Sequence, residues 1–389
     1  MFNLNSDFAV FIGTSPNDIF RLNVSLLDGS DVLANDVLPL IEYVDFAHLC
    51  TEVQFENGVS AVGTSIDLGS KTGTIVLAAQ GVDPLDGYFV KVNSPVQLTL
   101  KNYPVGGMDY PWAAGFIKSI ERDTDATGLT RVVIRFGDQV EQLMNLNATI
   151  SVATDQSFDE RWWSIYDDAV NGTNIPLVVT GVSSGFTFPG IDIFEVPLAE
   201  TINETMQGEL GWLVTGNNDG IYPMSHTHLQ NLLVSTPFAE FHQDVTDHHI
   251  PPTYINLASS SDSIISTINA SLTWDPLTTF SLTDTDNADL YGDSVLDISV
   301  NLADEGNLSN FAYYALSLTG QQKIKSLSVD AFDHRNSKLH PVYQMQPADC
   351  VLVNVQANGI NVNENYLISK IIHSITPDTW QTDLELWRN

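Results

Sequence analysis

The chain has 389 residues, 43% of them hydrophobic and only 16% charged, with 48 acidic against 15 basic side chains and a net charge of −33. That length holds two or three cored domains, and the apolar content argues for a folded chain. The charge sets aside nucleic-acid binding, specific or not, because phosphate recognition needs clustered Lys and Arg; it suits a large soluble surface or a passage to which an anion must not stick.

Met1 to Asp7 has no basic stretch followed by an apolar run, so no signal peptide is expected, and no segment approaches the roughly 20 apolar residues of a membrane span. Residues 1–150 read as strands. Thr74-Ile75-Val76-Leu77 and Arg131 to Phe136 are β-branched runs, and Val96, Leu98 and Leu100 alternate with polar residues. Turn clusters separate them: Asn57-Gly58, Asp83-Pro84, Asp86-Gly87, Gly106-Gly107 and Thr127-Gly128. Short strands with frequent turns predict a barrel-like domain, followed by a short helix over 138–146.

Residues 151–275 read as an α+β insert. Ser157 to Glu160 forms a capping box before helically spaced Phe158, Trp162, Ile165, Tyr166 and Ala169, with Asn171-Gly172 as the stop. A second helix is predicted over 197–207, then a hairpin whose strands flank Asn218-Asp219-Gly220. Residues 276–389 return to alternation at Leu327/Val329, Val351/Val353/Val355 and Leu384/Leu386, around one helix near 308–318. The fold class is therefore mainly β, with two barrel-like domains flanking an α+β insert and no short-period repeat.

Each candidate for chemistry has a plainer reading. His226 and His228, alternating as on a strand, precede His242 and Asp247-His248-His249, but no HExxH or helical i, i+4 pair exists, so these read as loop histidines without a metal. Asp284 to Asp289, with Asp293 nearby, resembles a calcium loop but carries Asp289 where an EF-hand needs Gly and Val295 where it needs Glu; it reads as a solvated acidic loop. Thr64-Ser65-Ile66 and Ser183-Ser184-Gly185 are not hydrolase elbows, and no phosphate-binding loop occurs. Trp162-Trp163 hints at a sugar platform, yet Trp162 sits at a core position of its helix. Cys50 and Cys350, far apart, read as thiols without a disulfide or zinc site. No catalytic residue, metal or cofactor is assigned.

Three stretches together resemble the hub and minor tail proteins of long-tailed bacteriophages. The first runs from Lys71-Thr72-Gly73-Thr74-Ile75-Val76-Leu77 through Val82-Asp83-Pro84, Val96 to Leu100, Ala114 to Ile120 and Val132 to Asp138. The second is the helix before Gly208-Glu209-Leu210-Gly211-Trp212-Leu213 and the hairpin at Asp219-Gly220. The third covers Asp262 to Ile265, Tyr291-Gly292, Ala312 and Ala315, and Ser326 to Asp330, and closes with Tyr366 to Trp380 and Thr382 to Leu386. In that closing phrase a His-x-Ile-Thr-Pro turn and a Trp lead into the last strand. Residues 1 to about 40 have no place in the resemblance.

The resemblance implies a non-enzymatic virion protein at the tail tip, made in the bacterial host cytoplasm. It would form a ring, a homotrimer, in which two similar barrels per chain offer a pseudo-sixfold face to the hexameric tail tube. Its partners would be the tube or distal tail protein, tip or fibre proteins and the tape measure, with an acidic lumen easing DNA passage. Two rival readings stand beside it: a receptor- or carbohydrate-binding virion protein, and a metal-dependent cell-wall hydrolase using the histidines.

Overall fold

The computed structural model describes residues 8–14, 42–62, 65–67, 69–88, 90–100, 110–170, 185–216, 220–242, 249–256, 264–318, 324–333, 338–339, 341–357 and 360–388. As the composition leads one to expect, the architecture is mainly β. Thirteen strands form one sheet: β1 (Phe8–Thr14), β2 (Glu42–Asp45), β3 (Cys50–Gly58), β4 (Thr72–Gln80), β5 (Pro95–Leu100), β6 (Tyr110–Thr124), β7 (Leu129–Gly137), β8 (Ala239–His242), β9 (Tyr254–Asn256), β10 (Ser326–Asp330), β11 (Cys350–Ala357), β12 (Ile360–Ile375) and β13 (Trp380–Trp387).

Their neighbour relations repeat. One half of the sheet runs β3-β4-β7-β6-β5-β1, and the other β9-β10-β13-β12-β11-β8. Taken in chain order, the six strands of each half occupy matching places. The centre of each half is a meander around one long strand that changes partner midway. β6 pairs with β5 up to Phe116 and with β7 from Phe116 onward, with a bulge between Ile117 and Ser119. β12 pairs with β11 up to Leu367 and with β13 from Leu367 onward, with a bulge between Ile368 and Lys370. A bulge bends and twists its strand, so both long strands turn a corner at the same step. The outer strand breaks the equivalence: β1 is antiparallel to β5, whereas β8 is parallel to β11. The halves join where β3 pairs with β12. Among the described residues the path is open, from β9 to β2.

Two hydrophobic cores form, and they do not follow chain order. The first lies under the sheet and draws on both halves, including Phe241 and Ile250. The second gathers α1 (Gln139–Met144), α2 (Phe158–Val170), α3 (Leu198–Glu209), α4 (His226–Leu233) and, beyond the exposed α5 (Thr285–Tyr291), which buries none of its residues, α6 (Glu305–Ser317), with much of 264–318 packed on the same body. Within that stretch Thr267–Leu272 pairs with Thr279–Thr283 and Val295–Val300, and α6 covers the small sheet. Local chemistry sets the helix starts. The Glu160 carboxylate accepts the Ser157 backbone N–H at 2.9 Å, half of the capping box, and Asp304 caps α6 through the Asn307 N–H. The hairpin strands are Trp212–Thr215 and Ile221–Met224; Asn218-Asp219 and Asn171-Gly172 lie outside the described residues.

Candidate functional site

The closing phrase of the chain builds the seam between the two half-sheets. The β3–β12 register sets His373 opposite Phe55. His373 is wholly enclosed, its ring 4.8 Å from that of Phe55 and 4.6 Å from that of Trp112, while Trp112 meets Trp380 edge-on at 4.9 Å. Trp380 Nε1 donates to His373 Nδ1 at 3.2 Å and the Thr382 hydroxyl lies 2.9 Å from the same nitrogen, which places the ring proton on Nε2. Burial holds the imidazole down at about 3, so it is neutral across the physiological range. Its work is packing: one flat polar ring satisfies two donors between three aromatic faces.

A second junction ties the sheet to the helical body. Lys71, fully buried, donates its ammonium to the Gly216 carbonyl at 3.1 Å and its backbone N–H to Asp138 at 2.8 Å. Asp138 also receives the Thr215 hydroxyl at 2.5 Å, and Asn57 donates to the Thr215 carbonyl at 2.9 Å. Burial raises the Asp138 carboxyl against the pull of Thr215 and Lys71. The polar sheet face above holds a groove of about 590 Å³ lined by Gln54, Glu56, Thr72, Thr74, Lys118 and Arg135. Its basic groups are matched by acids, Lys118 with Glu141 and Arg135 with Glu121, and the lining Glu56 pairs with Lys370 beside it. Such exposed pairs contribute little stability but leave these cations engaged rather than offered to a phosphate.

The sequence candidates scatter. His226 and His228 stand at the first and third positions of α4, not on a strand, because the Ser225 hydroxyl caps the helix through the His228 N–H. His226 Nδ1 lies 2.6 Å from the carboxylate of wholly buried Glu209 and its ring stacks on Phe186 at 4.4 Å. Burial raises the Glu209 carboxyl, and its hydrogen bonds to His226 and to the Phe186 N–H oppose that. The pair is a satisfied part of the second core. His242 and His249 do meet, beside Glu240, whereas Asp247 and His248 lie outside the described residues. Asp284 is the N-cap of α5, receiving the N–H groups of Asp286 and Asn287, so the acidic stretch opens a helix rather than a loop. Trp162 is buried; Trp163 is half exposed against Tyr166. Thr64, Ser183 and Ser184 lie outside the described residues. Sequence reading missed the role of Lys71; a lone Lys before a β-branched run carries no signal of burial.

No protein-family model matches the chain, and no curated protein matches it in sequence. Solved structures do match in fold. The 43 kDa tail protein of prophage MuSo2 from Shewanella oneidensis superposes with a TM-score of 0.63 at 11% identity, over 98% of both chains. The tail protein from Neisseria meningitidis MC58 gives the same score and identity, over 98% of this chain and 97% of its own. The chain has the fold of these tail proteins. The structure of the Francisella PdpA-VgrG complex matches at 0.50 and 9% identity, covering 98% of this chain but 58% of that longer one. Among the described residues no helix is long and apolar enough to cross a membrane.

Proposed function

We propose that this chain is a structural, non-enzymatic component of a long-tailed phage particle, a hub at the tail tip. The observation that carries the reading is the repeated six-strand unit within a fold shared end to end with tail proteins. A hexameric tube ends in six equivalent sites. A chain with two units of matching strand order meets six sites with three copies, so the ring is a homotrimer with pseudo-sixfold symmetry. The outer strand, antiparallel in one unit and parallel in the other, makes alternate positions differ, which leaves threefold symmetry for a tip or fibre protein below. The tube or distal tail protein and the tape measure are the partners above. The net charge of −33 keeps a passing genome from adhering.

The test is assembly. The purified chain, alone and with the tube protein of the same particle, is examined by mass photometry and electron microscopy. Closed trimers that cap tube ends are the expected result. A chain that stays monomeric and leaves the tube ends bare would overturn the hub reading, and glycan binding by that monomer would favour a receptor-binding role.

A further inference from the structure

The short strand β8 and the segment that returns beside it bring three metal-binding side chains to one face. Glu240 and His242 are two residues apart on β8, so their side chains leave the same side of the sheet. The return segment bridges back onto that strand: the Ile250 N–H donates to the Glu240 carbonyl at 3.0 Å, and the His242 N–H to the Ile250 carbonyl at 3.2 Å. Phe241 and Ile250 point inward and are buried in the first core. His249, next to Ile250, is thereby turned to the outer side with Glu240 and His242. Backbone register, rather than a chance of rotamers, gathers the three.

The separations between the donor atoms are those of an ion site. His242 Nε2 and His249 Nε2 stand 3.4 and 3.5 Å from the same oxygen of Glu240, and the three donor atoms all lie within 4.8 Å of one another. Bonds of about 2.0–2.1 Å in a tetrahedral shell give donor separations of roughly 3.3–3.4 Å. The two contacts are too long for good hydrogen bonds and of the right length for two edges of such a shell. Among the described residues His242 Nε2 is also buried without a hydrogen-bond partner. A nitrogen left in that state costs stability, and a cation satisfies it. The two imidazoles lie face to face, 3.7 Å apart and 6° from parallel.

We propose that Glu240, His242 and His249 bind one divalent transition cation, zinc by preference of the donor set, with water completing the shell. Each imidazole lone pair lies in its ring plane, so the stacked rings swing apart on capture and turn their Nε2 atoms to the ion. The ion then clips the return segment to β8, the strand that is parallel to its neighbour where its counterpart is antiparallel. The clip requires neither a ring nor a tail and holds whether or not the hub reading stands.

The full chain, stripped with a chelator and dialysed, is titrated with Zn²⁺ by calorimetry and with Co²⁺ by visible absorption. One ion per chain is expected, with cobalt bands of low coordination number and a rise in Tm that chelator reverses. His242→Ala/His249→Ala should abolish uptake. Glu240→Gln should weaken it more than about tenfold, the lower bound even for residues that only orient ligands. His226→Ala/His228→Ala should leave it unchanged. Circular dichroism and the Tm without metal check that each variant is folded. Absence of stoichiometric uptake by the parent chain, or uptake that survives in folded His242→Ala/His249→Ala, would overturn the site.

Discussion

Trp380 donates its indole N–H to Nδ1 of His373, 3.2 Å away, at the seam where β3 and β12 join the two half-sheets. Because burial holds His373 down at about 3 while a free histidine titrates near ~6.5, the unfolded chain binds a proton that the folded chain refuses. The stability from a neutral His373 is therefore fully present above pH ~6.5 and is lost as pH falls toward about 3. The limiting slope is roughly 1.4 kcal/mol per pH unit, so about 2–3 kcal/mol goes between pH 6.5 and 4.5. Asp349, pushed up to about 6 by burial, works the other way, its contribution fading as pH rises through that value. Comparing variant with parent removes such shared terms. In denaturant unfolding His373→Gln should be weaker at pH 7 yet flatter in acid; parallel pH profiles would refute the assignment.

At the junction between sheet and helical body, Lys71 and Asp138 are buried together, joined by the Lys71 backbone N–H, and share the Thr215–Gly216 segment. Removing one partner of such an arrangement strands the other, at a cost of about 3–5 kcal/mol. Lys71→Met and Asp138→Asn should each fall in that range by equilibrium unfolding. The double variant should cost clearly less than their sum, because the second change removes the group that the first left uncompensated. Strictly additive losses would mean that the two groups act independently.

How legible all this is in the sequence depends on whether the signal is local. The alternation at Val96/Leu98/Leu100 and at Val351/Val353/Val355 places β5 and β11, since a half-buried strand must repeat every second residue. The Ser157–Glu160 box places α2 for the same kind of reason. At His226-Thr227-His228 the spacing also fits a strand, and the cap supplied by Ser225 decides for a helix. At Asp284 the acidic run reads as loop, yet a single Asp at an N-cap starts α5. The repeated six-strand unit shares strand order rather than residues, so no sequence period announces it. Nor does spacing reveal that His249 rejoins His242, because that meeting depends on the backbone bridge made by Ile250, eight residues on from His242.

Both cysteines are free and buried, and burial pushes the Cys50 thiol up to about 12 and raises that of Cys350. The thiolate is the reactive species, so neither side chain should react with a disulfide reagent at pH 8 while the chain is folded. In denaturant both should titrate at once. Prompt reaction of either thiol in native buffer would show that its strand end opens locally.

Gly73 sits on β4 between Phe136 and Phe55. A Cβ built there would lie 2.3 Å from Phe136 Cζ and 2.8 Å from Phe55 Cβ. Glycine in a strand is otherwise unfavourable by roughly 0.5–1 kcal/mol relative to alanine, because it loses more backbone freedom on folding. Packing therefore decides the sign of Gly73→Ala. Phe55 cannot retreat, being held between Trp112 and His373, so Phe136 must leave its rotamer or the strands must part. Overpacking of this kind costs about 1–3 kcal/mol. The expected result is a net loss of stability in denaturant unfolding. Adding Phe136→Leu, which opens room at the ring tip, should recover part of that loss relative to Phe136→Leu alone. If Gly73→Ala matches the parent chain, the aromatic packing at the seam is looser than its contacts require, and the stability assigned to His373 would need to come from its hydrogen bonds.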